Sequence, residues 1–73
     1  MTKKEIKEKI WTFEYYTNGF HKLSGAGVSV KNLKISGDKI RADIILTTDA
    51  EAGISERYNN CRYDLGQLKK IGF

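Results

Sequence analysis

The sequence holds one cysteine, one histidine, one methionine, one tryptophan and no proline in 73 residues. A single Cys61 cannot close an internal disulfide or complete a zinc site of Cys ligands. A single His21 leaves no histidine cluster for a metal. With no proline, every turn read below is carried by Gly, Asn or Asp. No apolar run approaches the ~20 residues that span a bilayer, and no signal-peptide pattern opens the chain. Acidic residues are outnumbered nine to thirteen, which gives a net charge of +4 and a pI near 9.3.

What is present reads as one small globular domain over residues 1–73. Apolar residues make up 40% of the chain, too many for a disordered segment. A domain this short buries only about 60% of its unfolded surface, so its stability is thin. Lacking a staple, it needs a well-patterned core or a second copy, so a homodimer is one expectation. The lone thiol fits a reducing compartment, and the expected location is cytoplasmic. Lys outnumbers Arg ten to three, a bias that suits an AT-rich genome such as those of many bacteria and their phages.

The first element predicted is a helix over Thr2–Thr17. Thr2 and Glu5 have capping-box spacing. Ile6, Ile10, Phe13 and Thr17 share one stripe, flanked by Trp11, Tyr15 and Tyr16, while Lys3, Lys4, Lys7 and Glu8 lie opposite. Asn18-Gly19 stops the helix. Residues 20–27, with Ser24-Gly25-Ala26-Gly27, read as an irregular connection.

Gly27–Leu46 reads as a hairpin about a Gly37-Asp38 turn of type II′. That centring puts Ile35 opposite Ile40, Leu33 opposite Ala42 and Lys34 opposite Arg41. Val28 and Val30 are out of phase with Leu33 and Ile35, which predicts a β-bulge near Lys31-Asn32. A connection over Thr47–Gly53 leads to a third strand, Ile54–Tyr63. There Arg57-Tyr58 recurs as Arg62-Tyr63, and in a regular strand the odd spacing sets the two tyrosines on opposite faces. Asp64 and Gln67 form a second capping-box pattern, and Leu65, Leu68 and Ile71 continue it as a two-turn helix that Gly72 ends. The fold class expected is α+β: an N-terminal helix packed on a three-stranded antiparallel sheet, with a short C-terminal helix. This α-β-β-β-α order resembles the double-stranded-RNA-binding domain. That family opens its last helix on a basic Lys-Lys-x-Ala-Lys stretch. Here Asp64-Leu65-Gly66-Gln67-Leu68-Lys69-Lys70 is acidic at its start, so no functional residue is carried over.

Enzyme chemistry finds no constellation. Cys61 and His21 sit on different elements, and a lone strand cysteine is usually a small buried hydrophobe. Glu14 and His21 are the nearest carboxylate–histidine pair. Asp49, Glu51 and Glu56 have no EF-hand spacing, and the glycines form no phosphate loop. No catalytic residue, cofactor or metal is expected, and the protein reads as non-catalytic.

Two binding readings remain. Five aromatics within ten residues, Trp11, Phe13, Tyr15, Tyr16 and Phe20, exceed what one core stripe needs. They suggest a protein partner met through Tyr15, Tyr16 and Phe20, as in a phage or mobile-element inhibitor or adaptor. The competing use of these rings is a small unstapled core, with Trp11 flanking it. The second reading is nucleic-acid binding. Residues 22–41 carry a net +4, residues 42–56 a net −4 and residues 57–73 a net +3. Lys34, Lys39 and Arg41 share the polar hairpin face, Arg57 and Arg62 follow on the third strand, and an exposed third-strand Tyr could stack on a base. The bland alternative is a solvated outer face.

Overall fold

The computed structural model describes residues 2–70. Helix α1 spans Lys3–Thr17 and opens on the expected capping box: Thr2 Oγ1 accepts from the Glu5 N–H, and Glu5 accepts from the Thr2 N–H. Asn18 caps its end, and Gly19 follows at φ +72°, a left-handed turn that only glycine adopts without strain. The connection then makes one 3-10 turn, Phe20–Lys22, before strand β1, Gly27–Ser36. Strand β2 covers Lys39–Asp49, strand β3 Ile54–Asp64, and helix α2 Leu65–Lys69. The three strands form one antiparallel sheet in the order β1-β2-β3.

The turn between β1 and β2 is the two-residue Gly37-Asp38 link, with Ser36 paired to Lys39. Gly37 has φ +62° and Asp38 is not left-handed, as a type II′ turn requires. Ile35 pairs with Ile40 and Lys34 with Arg41, as the sequence indicates. Leu33 does not pair singly with Ala42, because the register shifts between Lys31 and Lys34 and Asn32 sits at φ +52°. This is the expected bulge. It brings Val30 and Leu33 to the same side of the sheet despite their odd spacing.

A second bulge lies directly across the sheet. Cys61 pairs with Ala42 and Tyr58 with Ile44, so Asn59 and Asn60 together span the single residue Asp43, with Asn60 at φ +61°. This corrects the expectation for the two tyrosines. The extra residue puts Tyr58 and Tyr63 on the same face, opposite Ile44 and Ile40. Only Tyr63 is buried; Tyr58, midway along the edge strand β3, is exposed.

The core lies between α1, α2 and one face of the sheet. It contains Ile6 and Ile10 of α1, Val30, Ile40, Ala42, Ile44 and Tyr63 of the sheet, and Leu68 of α2. Ile35 is the exception to the pattern: it is 42% exposed, because the tip of edge strand β1 projects past the helices. Helix α2 is shorter than the two-turn expectation. Asp64 caps it by accepting from the Gly66 N–H at 2.9 Å, and the Leu65 N–H donates to the Asp38 carbonyl at 2.8 Å, which ties the helix to the hairpin turn. Ile71 and Gly72 lie outside the described residues.

One polar contact pins α1 to the sheet. The Tyr63 hydroxyl donates to Glu14 Oε1 at 2.6 Å, and its ring meets Phe13 edge-on at 6.3 Å. Burial, followed by this bond to a carboxylate, pushes the phenol pKa up. Tyr63→Phe removes a hydrogen bond to a charged group and is expected to cost ~1–3 kcal/mol in urea unfolding. At the bulge, Asn60→Gly is expected to cost less than ~1 kcal/mol, and Asn60→Val more, because a β-branched residue disfavours a left-handed conformation.

Candidate functional site

Alternation along the sheet gives two chemically different faces. The residues of β2 that face the helices are Ile40, Ala42, Ile44 and Leu46. The alternate residues, Lys39, Arg41, Asp43, Ile45 and Thr47, point the other way, where no element of the described chain covers them. Register extends this open face onto both neighbours. Lys34 on β1 and Arg62 on β3 flank Arg41; Ser36 and Asp64 flank Lys39; Ser29 and Arg57 flank Ile45.

All five basic residues singled out in the hairpin and third strand, Lys34, Lys39, Arg41, Arg57 and Arg62, therefore meet on one face. Arg57 does so only because of the Asn59-Asn60 bulge. In an unbroken strand Arg57 would turn toward the helices and Tyr58 away from them. The five differ in how they are paired. Lys39 Nζ lies 3.3 Å from Asp64 Oδ2 in an exposed ion pair. Arg57 Nη2 lies 3.2 Å from Asp43 Oδ2, and its Nε donates to Asn59 Oδ1 at 2.8 Å. Among the described residues, Lys34, Arg41 and Arg62 have no acidic partner. They form one row straight across the sheet, Lys34–Arg41–Arg62, at strand spacings of about 4.8 Å.

Asp43 sits beside this row and joins the three strands. Its Oδ2 accepts from Asn32 Nδ2 at 2.8 Å and from Arg57, and its Oδ1 accepts from the Asn60 N–H at 2.9 Å. These donors, Asn32 first, hold its carboxyl below the usual carboxylate range. A shallow depression of about 270 Å³ lies between Lys34, Arg41, Asp43 and Asn60. It is lined by a cationic pair on one side and by the bulges on the other.

The aromatic candidates fare differently. Phe20 is 3% exposed, so it is core and unavailable to a partner. The 3-10 turn folds its ring under Tyr15, edge-on at 6.3 Å. Tyr15 is half-buried and stacks on Trp11 at 4.6 Å. Tyr16 is exposed and lies edge-on to Tyr15 and beside His21. Trp11 is 39% exposed rather than tucked against the core. Tyr58 is exposed, but it shares the helix-side face and hydrogen-bonds Glu56. It cannot stack on anything bound along the cation row.

Cys61 is half-buried, its thiol directed to the Tyr58 carbonyl at 3.6 Å. Burial above all, and then the Glu14 carboxylate, push its pKa up, away from a reactive thiolate. Among the described residues no group of three or more His, Cys, Asp or Glu side chains could hold a metal. No described helix is long and apolar enough to cross a membrane.

No family model matches the chain, and no curated protein or solved structure matches it at a significant level.

Asp43 makes a pH signature of the open face. A carboxylate whose pKa is depressed by folding stabilises the native state above the unfolded pKa and loses that effect as pH falls through the folded one. Urea midpoints are expected to drop from pH 7 to pH 3. Asp43→Asn should lower the midpoint at pH 7 and flatten the remaining fall, with Asp64 and Glu5, also depressed, supplying what is left.

Proposed function

We propose that the protein is a non-catalytic binding module whose open sheet face takes the phosphate backbone of a nucleic acid. The observation that carries this reading is the row Lys34–Arg41–Arg62. Like charges directly opposite one another on neighbouring strands lower stability. A fold that sets three in line, while Arg57 and Lys39 on the same face are neutralised by Asp43 and Asp64, keeps an anion site at some expense of its own stability. The depression beside Arg41 would seat a phosphate oxygen against Lys34 and Arg41, while Asp43 in its wall is already bonded to Asn32, Arg57 and the Asn60 N–H.

The same face defines what would be read. No aromatic residue occupies an open-face register position, so bases have no stacking platform and recognition rests on backbone charge. Sequence independence and strong salt dependence follow from that. The aromatic face of α1 supports a protein-surface reading less directly, since Phe20 is core and Tyr15 is enclosed by Trp11, Tyr16 and Phe20.

Fluorescence anisotropy with labelled DNA and RNA of unrelated sequences tests this. About three phosphate contacts give a log–log salt slope near −3 for a duplex. Arg41→Gln should bring that slope about one unit closer to zero. The same substitution should leave stability unchanged or raise it by a few tenths of a kcal/mol, since it relieves two like-charge contacts. If Arg41→Gln combined with Arg62→Gln leaves affinity and slope unaltered, the open face is not the site.

A further inference from the structure

The other side of the molecule carries a second surface that the open-face reading does not use. Strand β1 is an edge: it pairs with β2 alone, and its outer hydrogen-bonding side has no partner among the described residues. Beside that edge, between β1 and α1, runs a groove. Its wider part, about 750 Å³, lies between Trp11 of α1 and Val28 to Lys31 of β1. A second part, about 670 Å³, shares Lys4, Lys7, Val30 and Lys31 with the first and continues to Leu33. Together they follow β1 from Val28 to Leu33, and the regular stretch ahead of the Asn32 bulge, Val28–Lys31, offers about 13 Å of extended edge.

The groove has a chemical polarity. Its floor is apolar at Val28 and Val30, and Trp11 stands at one end. Its rim carries Lys3, Lys4 and Lys7 on the α1 side, against the single acid Glu8, and Lys31, which register sets on the Asp43 side of the sheet, at the strand edge. We propose that this groove is a strand-addition site that takes an extended, acidic peptide segment of a partner protein as a fourth strand on β1. The unpaired edge calls for an extended peptide backbone with alternating donors and acceptors, which a sugar–phosphate chain does not offer. The lysine rim calls for carboxylates. An added strand turns alternate side chains to the two sides of the sheet, so those on the helix side meet the apolar floor and the α1 lysines, and those between them meet Lys31.

Charge also argues against a second copy as the occupant. The β1 sequence Gly-Val-Ser-Val-Lys-Asn-Leu-Lys-Ile-Ser holds two lysines and no acid, so pairing two β1 edges would set cations against cations.

Trp11 is the only tryptophan of the chain and lines the groove, so its fluorescence reports on occupancy. The probe is a blocked octapeptide alternating Glu and Val, compared with its Lys–Val counterpart and with two versions N-methylated at alternate residues, one in each phase. The acidic peptide is expected to shift Trp11 emission and to slow amide exchange in Val28–Lys31, with an affinity that falls as salt rises. Lys4→Glu with Lys7→Glu should weaken it at least tenfold. That pair lies in the first turns of α1, where acidic residues suit the helix dipole, so a lost signal will not reflect a lost helix. Arg41→Gln with Arg62→Gln, on the open face away from the β1 edge, should leave peptide affinity unchanged, which separates this site from the nucleic-acid reading. Absence of binding at millimolar peptide, equal binding of the Lys–Val peptide, or equal binding of both N-methylated versions would each overturn the proposal. So would a dimer that protects β1 without any peptide.

Discussion

Asp43 is the residue on which the arrangement of the sheet depends. It stands on the central strand, and its two oxygens accept from the side chain of Asn32 on one neighbour and from the backbone of Asn60 on the other. Both asparagines are left-handed, and each belongs to a bulge that inserts one extra residue into an edge strand. Because side chains alternate with a period of two, one extra residue exchanges the faces of everything beyond it. Asp43 thus stabilises two phase changes at one level of the sheet.

Those phase changes separate the apolar from the basic side chains. On β1, the bulge lets Val30 and Leu33 both turn toward α1. On β3, it turns Tyr58 and Tyr63 to the helix side and Arg57 and Arg62 to the open side. Without the β3 bulge, one of the two Arg-Tyr pairs would be inverted, with an arginine facing the apolar side. The hydrophobic core and the cationic face are two consequences of one registration, joined through a single carboxylate. The charge pattern follows the same division. Asp43 and Asp64 neutralise Arg57 and Lys39, and Lys34, Arg41 and Arg62 stand in a line.

The helix layer is held by different means. Ile6 and Ile10 fill the space over the sheet, while Tyr63 and Glu14 give α1 one directional contact across the layers. The helices cover only part of the sheet. Ile35 at the hairpin tip and Tyr58 on β3 stay exposed for that reason, and beside β1 the partial cover leaves a groove rather than a sealed seam. The two binding surfaces therefore have separate origins: the open face arises from strand register, and the groove from the way a single helix rests across an edge strand.

Local chemistry in the sequence determined α1, its capping box and its Gly19 stop, the Gly37-Asp38 turn, and the β1 bulge, because each rests on neighbours within a few residues. The β1 bulge was legible because four aliphatic residues changed phase around it. The β3 bulge carried an equivalent sign, an Arg-Tyr pair repeated at an odd interval, but tyrosine is at home on either face, and the pair did not reveal which rule was broken. Phe20 was misread for a related reason: an aromatic next to a helix end has no fixed direction until a 3-10 turn folds it beneath Tyr15. Which cations pair with Asp43 and Asp64, and which stand alone in a row, depends on contacts between residues 14 and 25 apart in the chain. Only the tertiary structure decides contacts of that kind, since they exist once three strands have found their register and not before.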